Sequence, residues 1–346
     1  MKTALKKPNK VIISVILIIA LLLSLTAGIS LIKINIVNPH RYNVTEEAFK
    51  QNPDRDCIHF LNVGWGDCIL LESNGHYAMV DAGEDSDNPR GLKGLALNGY
   101  ETTVIKYLKN HAADKNGKVT LDFIVGTHSH SDHIGNFDTI IADKDITIKK
   151  AYLKEYNSKI ITANEVQEWD NQEVYNQMVN ALMAKNVEII SNIPDTTFNF
   201  GDFECKFFNT QSYNGKDKIG ENENSLALLV TKNDKKALLM GDVNNLQGTE
   251  TVIGNETGKV DLLKLGHHGH KYSTSSEFLK MVNPSVGIIC GPKHNLNLEA
   301  AITTVLYTDT AYYSTMDNNG IIAEFTDDNK MILTDEINTA EPIPAS

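Results

Sequence analysis

The chain has 346 residues, 41% hydrophobic and 22% charged, which excludes global disorder and leaves room for one large domain or two ordinary ones. Its formal net charge is −12. Lys2, Lys6, Lys7 and Lys10 fall in the first ten positions without an acid, so residues 11–346 carry 28 basic against 44 acidic groups, or −16. So acidic a body excludes a general attraction to nucleic acid, whose binding draws on Lys and Arg contacts to phosphate, although a local basic groove stays open.

Residues 11–32, VIISVILIIALLLSLTAGISLI, contain no charge. About 20 apolar residues suffice to cross a bilayer core as a helix. The segment is read as a single transmembrane anchor behind a basic cytoplasmic tail, residues 1–10. The alternative is a cleaved signal segment, with Thr26-Ala27-Gly28 supplying small residues at the cut. Basic flanks stay inside, so both readings put the remainder outside the cell membrane. Residues 33–55 read as a linker.

From Cys57 the pattern changes to short apolar runs broken by turn residues. Residues 57–63, 68–73 and 76–81 read as strands, with Asn74-Gly75 as a hairpin turn. Residues 91–110 read as a helix, 121–127 as a strand buried on both faces, and 164–185 as one long helix. Further strands are expected at 187–190, 203–208, 225–231, 237–240, 260–265 and 286–290. Helices are expected at 274–281 and 299–307, and a closing hairpin at 321–325 and 330–333. Residues 56–337 thus form one domain of strand clusters interrupted by helices, which suits two packed sheets with helices outside. Residues 338–346 read as a disordered tail. Cys57, Cys68, Cys205 and Cys290 form no CxxC pair, so buried free thiols are expected rather than a cysteine zinc site.

The chemistry concentrates in His128-Ser129-His130-Ser131-Asp132-His133. His128 and His130, two apart in an extended loop, point the same way and can share one ion. Asp132 and His133 can serve a second. Imidazole with carboxylate suits zinc, and also manganese or iron. Three other strand ends carry residues of the same type: Asp81 in Val80-Asp81-Ala82-Gly83, Asp242 in Leu239-Met240-Gly241-Asp242, and the pair His267-His268 in Lys264-Leu265-Gly266-His267-His268-Gly269. Each alone is weak, since an Asp closing a strand is commonly a turn former. Together they describe one cleft at a converging strand edge.

These segments resemble the metallo-β-lactamase superfamily, over residues 57 to about 335. Gly64-Trp65-Gly66-Asp67, Asn222-Glu223-Asn224-Ser225-Leu226 and His267-His268-Gly269 are similar to the hydrolase domain of DNA-uptake competence channels. Residues 58–63, 71–81, 122–136 and Trp169-Asp170-Asn171 are similar to the catalytic module of phosphorylcholine esterases. The resemblance implies an αββα sandwich, two divalent metal ions, zinc or manganese, and hydrolysis of a phosphoester or phosphodiester, as found in small molecules or cell-wall polymers. It implies metal ligands at His128, His130, Asp132, His133, Asp242 and His267, with Asp132 orienting the nucleophile and His268 in support as catalytic residues. The family's common third histidine is missing, because no histidine occurs from position 134 to 266. The ion of His128 and His130 must then find other donors, such as Asp242 or a group from residues 222–225. Asp81 is expected to orient a ligand, Asp67 to do so or to form a turn, and His59 to be structural. Trp65 and Trp169 suit a cage for a quaternary ammonium group or simple packing. The alternatives in function are a lactone, thioester or β-lactam hydrolase on the same fold, or a catalytically weak surface receptor.

Overall fold

The computed structural model describes residues 54–87, 97–213 and 215–345. Seventeen short strands lie in chain order: β1 (Asp56–Phe60), β2 (Cys68–Ser73), β3 (His76–Ala82), β4 (Val119–Leu121), β5 (Phe123–Gly126), β6 (Ile146–Ile148), β7 (Lys150–Leu153), β8 (Glu188–Ile190) and β9 (Phe198–Phe200), then β10 (Phe203–Phe208), β11 (Ala227–Lys232), β12 (Lys235–Leu239), β13 (Leu262–Lys264), β14 (Val286–Ile289), β15 (Ala311–Ser314), β16 (Ile321–Phe325) and β17 (Met331–Asp335). One sheet has the order β17-β16-β1-β2-β3-β5-β7-β8, the other β15-β14-β13-β12-β11-β10-β9, and β4 pairs with β6 alone.

Alternation along the strands sets the layers. In β1, Ile58 and Phe60 face the space between the sheets, where they meet Phe203, Phe207, Leu228 and Ile288 of the second sheet. The opposite face of the first sheet packs Leu70, Met79 and Ile124 beneath Val104, Leu108, Met178 and Leu182 from the helices Glu101–His111 and Asn171–Ala184. The second sheet packs Leu238, Leu263 and Ile289 beneath Phe278, Leu279 and Ala300 from Ser276–Val282 and Leu298–Thr303. The result is the expected αββα sandwich.

All four cysteines are free and buried. His59, on the helix-facing side of β1, holds Tyr107 Oη at 2.8 Å and Glu72 at 3.1 Å. With Cys57 these groups lie close enough to hold an ion, but hydrogen bonds to one another already satisfy the imidazole.

Several expectations need correction. The helix read over 164–185 is two, Ala163–Glu168 and Asn171–Ala184, because Trp169 takes an extended conformation between them. The helix read over 91–110 begins at Glu101, and residues 91–96 lie outside the described residues. The helix read over 299–307 ends at Thr303 and closes in a π turn, Thr304–Thr308. The tail expected to be disordered is tied down through its backbone and polar side chains. Asn338 bonds Asn62 in both directions at 2.9 Å, Glu341 N–H reaches Thr103, and Ile343 pairs with Gly99. Polar composition signalled solvent there, whereas those groups find partners in the domain. The anchor read at 11–32 lies outside the described residues, and among those described no helix is long and apolar enough to cross a membrane.

Candidate metal centre

The site forms where parallel strands of both sheets end. β3 delivers Asp81, β5 the run from Thr127 to His133, β12 Asp242, and β13 Lys264 and the paired histidines. Ligand sites in open α/β sheets occupy such carboxyl edges. The loop between β1 and β2 adds Asp67. It approaches so closely that a Cβ on Gly66 would fall 2.4 Å from the Asp132 carbonyl, and Gly66 also holds φ +141°. Both features require glycine there.

His133 and His128 follow one pattern, in which one ring nitrogen is anchored by a neighbouring oxygen and the other is presented inward, and His268 lies similarly beside Asp67 without a hydrogen bond to it. Asp81 accepts from His133 Nδ1 at 2.7 Å, leaving Nε2 facing inward. Thr127 gives its hydroxyl hydrogen to Asp81 at 2.7 Å, so it can only accept from His128 Nδ1, 3.1 Å away, and His128 Nε2 keeps its lone pair. Asp67 lies 3.3 Å from His268 Nδ1, and His268 Nε2 points to Asp132 at 3.4 Å and Asp242 at 3.3 Å. Metal-bound histidines are held in this way, with the outer nitrogen on a carboxylate or hydroxyl.

The inward atoms converge. His133 Nε2 sits 3.3 Å from His268 Nε2 and 3.2 Å from Asp242, and His128 Nε2 lies 4.0 Å from Asp242. His128 Nε2, Asp132 Oδ1 and Asp242 Oδ1 are buried without a hydrogen-bond partner. Orphaned polar atoms cost about 1–3 kcal/mol each, a cost that bound cations would relieve. Asp67, His133, Asp242 and His268 have ligand atoms within 4.8 Å of one another. Asp67 also pairs with Lys264, which is wholly buried, donates to the Gly241 carbonyl at 2.7 Å and stands 3.6 Å from Asp242. Asp67 is thus engaged by Lys264 and lies beside His268, and His133, His268, Asp132 and Asp242 remain as the candidate donors.

The electrostatics agree with this division. Burial alone would lower the pKa of His133 and His268, but the surrounding carboxylates, Asp242 foremost, raise both well above the ordinary value. Burial also favours neutral Asp242, yet His133 and His268 hold it well below the usual carboxylate range. His128 is pushed the other way, by burial and by its imidazole neighbours. Burial would raise Asp67, and Lys264, His133 and His268 together more than reverse that.

Of the paired histidines, the structure seats His268 among the carboxylates and His267 beside them, the reverse of the sequence expectation. Proximity to the strand end misleads because both residues adopt left-handed backbone, φ 47° and 51°, which swings the second ring inward. Consecutive left-handed residues other than glycine are costly and collect at functional sites. His130 stands apart from the donors: its Nε2 contacts Glu165 at 3.2 Å and its ring stacks on Trp169 with centroids 4.3 Å apart. His294, in the short turn Lys293–Asn295, is not among the donors. Sequence reasoning missed Lys264 and Glu165. The first had a signal, a lysine closing an otherwise apolar strand, while the second had only a helix-capping signature, Thr162-x-x-Glu165.

The family model described as the beta-lactamase superfamily domain matches residues 80–271, which include the metal run, Asp242 and both histidines. The chain is a member of the metallo-β-lactamase superfamily. ComE operon protein 3 of Bacillus subtilis is 26% identical over 247 residues, 69% of this chain and 28% of that protein. Recombination protein 2 of Haemophilus influenzae is 25% identical over 238 residues, 69% of this chain and 24% of that protein. The superfamily member described here thus spans about a quarter of the length of these curated relatives. Among solved structures, the metallo-beta-lactamase fold protein YhfI from Bacillus subtilis is 12% identical with a TM-score of 0.47, covering 78% of this chain and 100% of that one.

Proposed function

We propose that this superfamily member is a metal-dependent phosphoesterase or phosphodiesterase that is held at the outer face of the cell membrane by residues 11–32. The observation that carries the reading is the buried set His133, His268, Asp132 and Asp242, whose inward atoms converge while Asp81 anchors the outer nitrogen of His133. A divalent cation held there, zinc or manganese by donor type, would supply Lewis acidity toward water and toward a phosphoryl oxygen. Asp81 fixes which nitrogen of His133 faces the reaction, and Asp67 lies beside the outer nitrogen of His268. Lys264 offsets the buried charge of Asp67. Asp132 Oδ1, buried and unpartnered, would accept a hydrogen bond from the attacking water and orient it. No Ser or Cys nucleophile is required. A second ion beside His128 and His130, bound more weakly because the third histidine is missing, completes the proposed centre.

Phosphoesters are favoured over other esters by the similarity of residues 58–63, 71–81 and 122–136 to phosphorylcholine esterases. The relative named for recombination raises nucleic acid as a substrate, against which stands the net charge of −12. Full-length protein in detergent, assayed for bound metal and for turnover of bis-p-nitrophenyl phosphate, p-nitrophenyl phosphorylcholine, single-stranded DNA, a lactone and a cephalosporin, tests the reading. Phosphoester turnover that disappears with a chelator and returns with zinc is expected. Undiminished turnover in metal-free protein, or turnover of the lactone or cephalosporin alone, overturns it. Location is tested separately: residues 33–346 should be open to external protease in intact cells, and protection until lysis reverses the orientation.

A further inference from the structure

Glu165 lies on a short helix 35 positions from His130 in sequence, yet its carboxylate is saturated with contacts to the metal run and its surroundings. Oε1 meets His130 Nε2 at 3.2 Å and accepts the Glu221 N–H at 2.8 Å. Oε2 accepts the N–H and hydroxyl of Thr162, both at 2.8 Å. The approach of residues 220–221 is close: Gly220 holds φ +80°, and a Cβ there would fall 2.9 Å from Glu165 Oε2. The helix Ala163–Glu168 has no buried side chain, so polar bonds rather than apolar burial dock it. Trp169, which closes that helix, lies nearly parallel to the His130 ring at 13°. One element thus holds His130 by an edge and by a face.

A carboxylate only accepts, so His130 Nε2 carries the hydrogen and Nδ1 is left with its lone pair. The same logic applies to Thr127 on His128, so both histidines beside the proposed second cation are held in tautomers that present a free nitrogen. We propose that Glu165 is a positioning residue that fixes His130, by direct contact, as a donor to a second cation beside His128. The inference rests on the metal-dependent reading above. The competing explanation is that Glu165 merely caps its helix through Thr162.

Chelator-stripped full-length protein, titrated with zinc against a competing chromophoric chelator, separates the two. The parent is expected to bind two equivalents of different affinity. Glu165→Ala should weaken the looser equivalent about 10–100-fold and leave the tighter one unchanged. Glu165→Gln should recover most of the loss, since its amide oxygen still accepts from His130. Thr162→Val, which breaks the cap but not the His130 contact, should bind both ions as the parent does. The proposal is overturned by a parent that binds one equivalent, by Glu165→Ala binding both ions normally, or by Thr162→Val losing the looser ion equally. An intact split in affinity without hydrolysis of any phosphoester would instead overturn the function and leave Glu165 standing.

Discussion

His133 and His268 face each other across 3.3 Å with Asp242 and Asp132 closing around them, whereas on the other side His128 packs its ring 4.1 Å from that of His133 and 4.0 Å from Asp242, and His130 meets Glu165 at 3.2 Å. On the first side the carboxylates outnumber what solvent can stabilise, and two charged imidazoles and the buried Lys264 balance them. On the second side His130 turns its outer nitrogen to Glu165, and His128 is driven toward its neutral form by burial. A cation entering the first side must displace protons, while one entering the second finds lone pairs waiting but fewer of them. The two sides should therefore differ in affinity and in pH dependence, with tighter binding on the first side that weakens as pH falls.

The change that strikes both sides is Asp242→Ala. Asp242 lies 3.2 Å from His133, 3.3 Å from His268 and 4.0 Å from His128. Its removal should lower hydrolysis by at least about a thousandfold, several kcal/mol of transition-state stabilisation, with both metal equivalents lost. Far-ultraviolet circular dichroism should stay native, because strands β12 and β13 pair through their backbones without it. Retention of one full equivalent would mean that the sides are independent.

The next largest effect separates the adjacent histidines. His268→Ala should strip the tight ion and resemble Asp242→Ala. His267→Ala should keep that ion and lose no more than about 10–100-fold in activity. Metal analysis of the two purified variants decides it, and a metal-poor, inactive His267→Ala with a normal His268→Ala would reverse the assignment.

That pair also shows where sequence stops being informative. The strand β2, read as 68–73, is found at Cys68–Ser73, because a short apolar run and an Asn-Gly turn are local signals. The density of His128, His130, Asp132 and His133 is likewise local, and the cleft assembles around it. Which of His267 and His268 enters is set by two left-handed backbone angles that no spacing rule carries. The break at Trp169 comes from a ring stacking on a histidine far away in sequence, and Glu165 meets that same histidine through tertiary structure alone. Lys264 reads as a strand terminus, and only the fold shows it buried against Asp67.

Lys264 sharpens the comparison through stability rather than activity. Replacing it by Met leaves Asp67 buried without its cation, which should cost about 3–5 kcal/mol in chemical denaturation of the metal-free protein. Asp67→Asn in the same background should restore part of that loss, because the uncompensated charge is then gone. Equal stability of Lys264→Met and parent would show that His133 and His268 alone balance Asp67.

The smallest effect concerns the support of the loop that follows His268. Glu250, wholly buried, accepts the N–H groups of Thr274 and, at 2.9 Å, Ser275. Burial raises its pKa to about 7 from 4.5, outweighing those hydrogen bonds, with Glu223 adding repulsion. A carboxyl with a raised folded pKa contributes stability that is fully present below pH 4.5 and is lost as pH climbs through 7. The window is worth up to about 3 kcal/mol. Glu250→Gln cannot ionise, so its melting temperature should lack this decline. It should carry instead a constant penalty of about 1 kcal/mol, because one of the two N–H groups then faces an amide donor. Melting curves from pH 4 to 8 should therefore show the parent ahead in acid, a crossing as pH rises, and Glu250→Gln ahead at neutrality. A parent lead that widens as pH rises would mean that the two N–H groups hold Glu250 ionised in the fold, making it an anionic clamp on the loop.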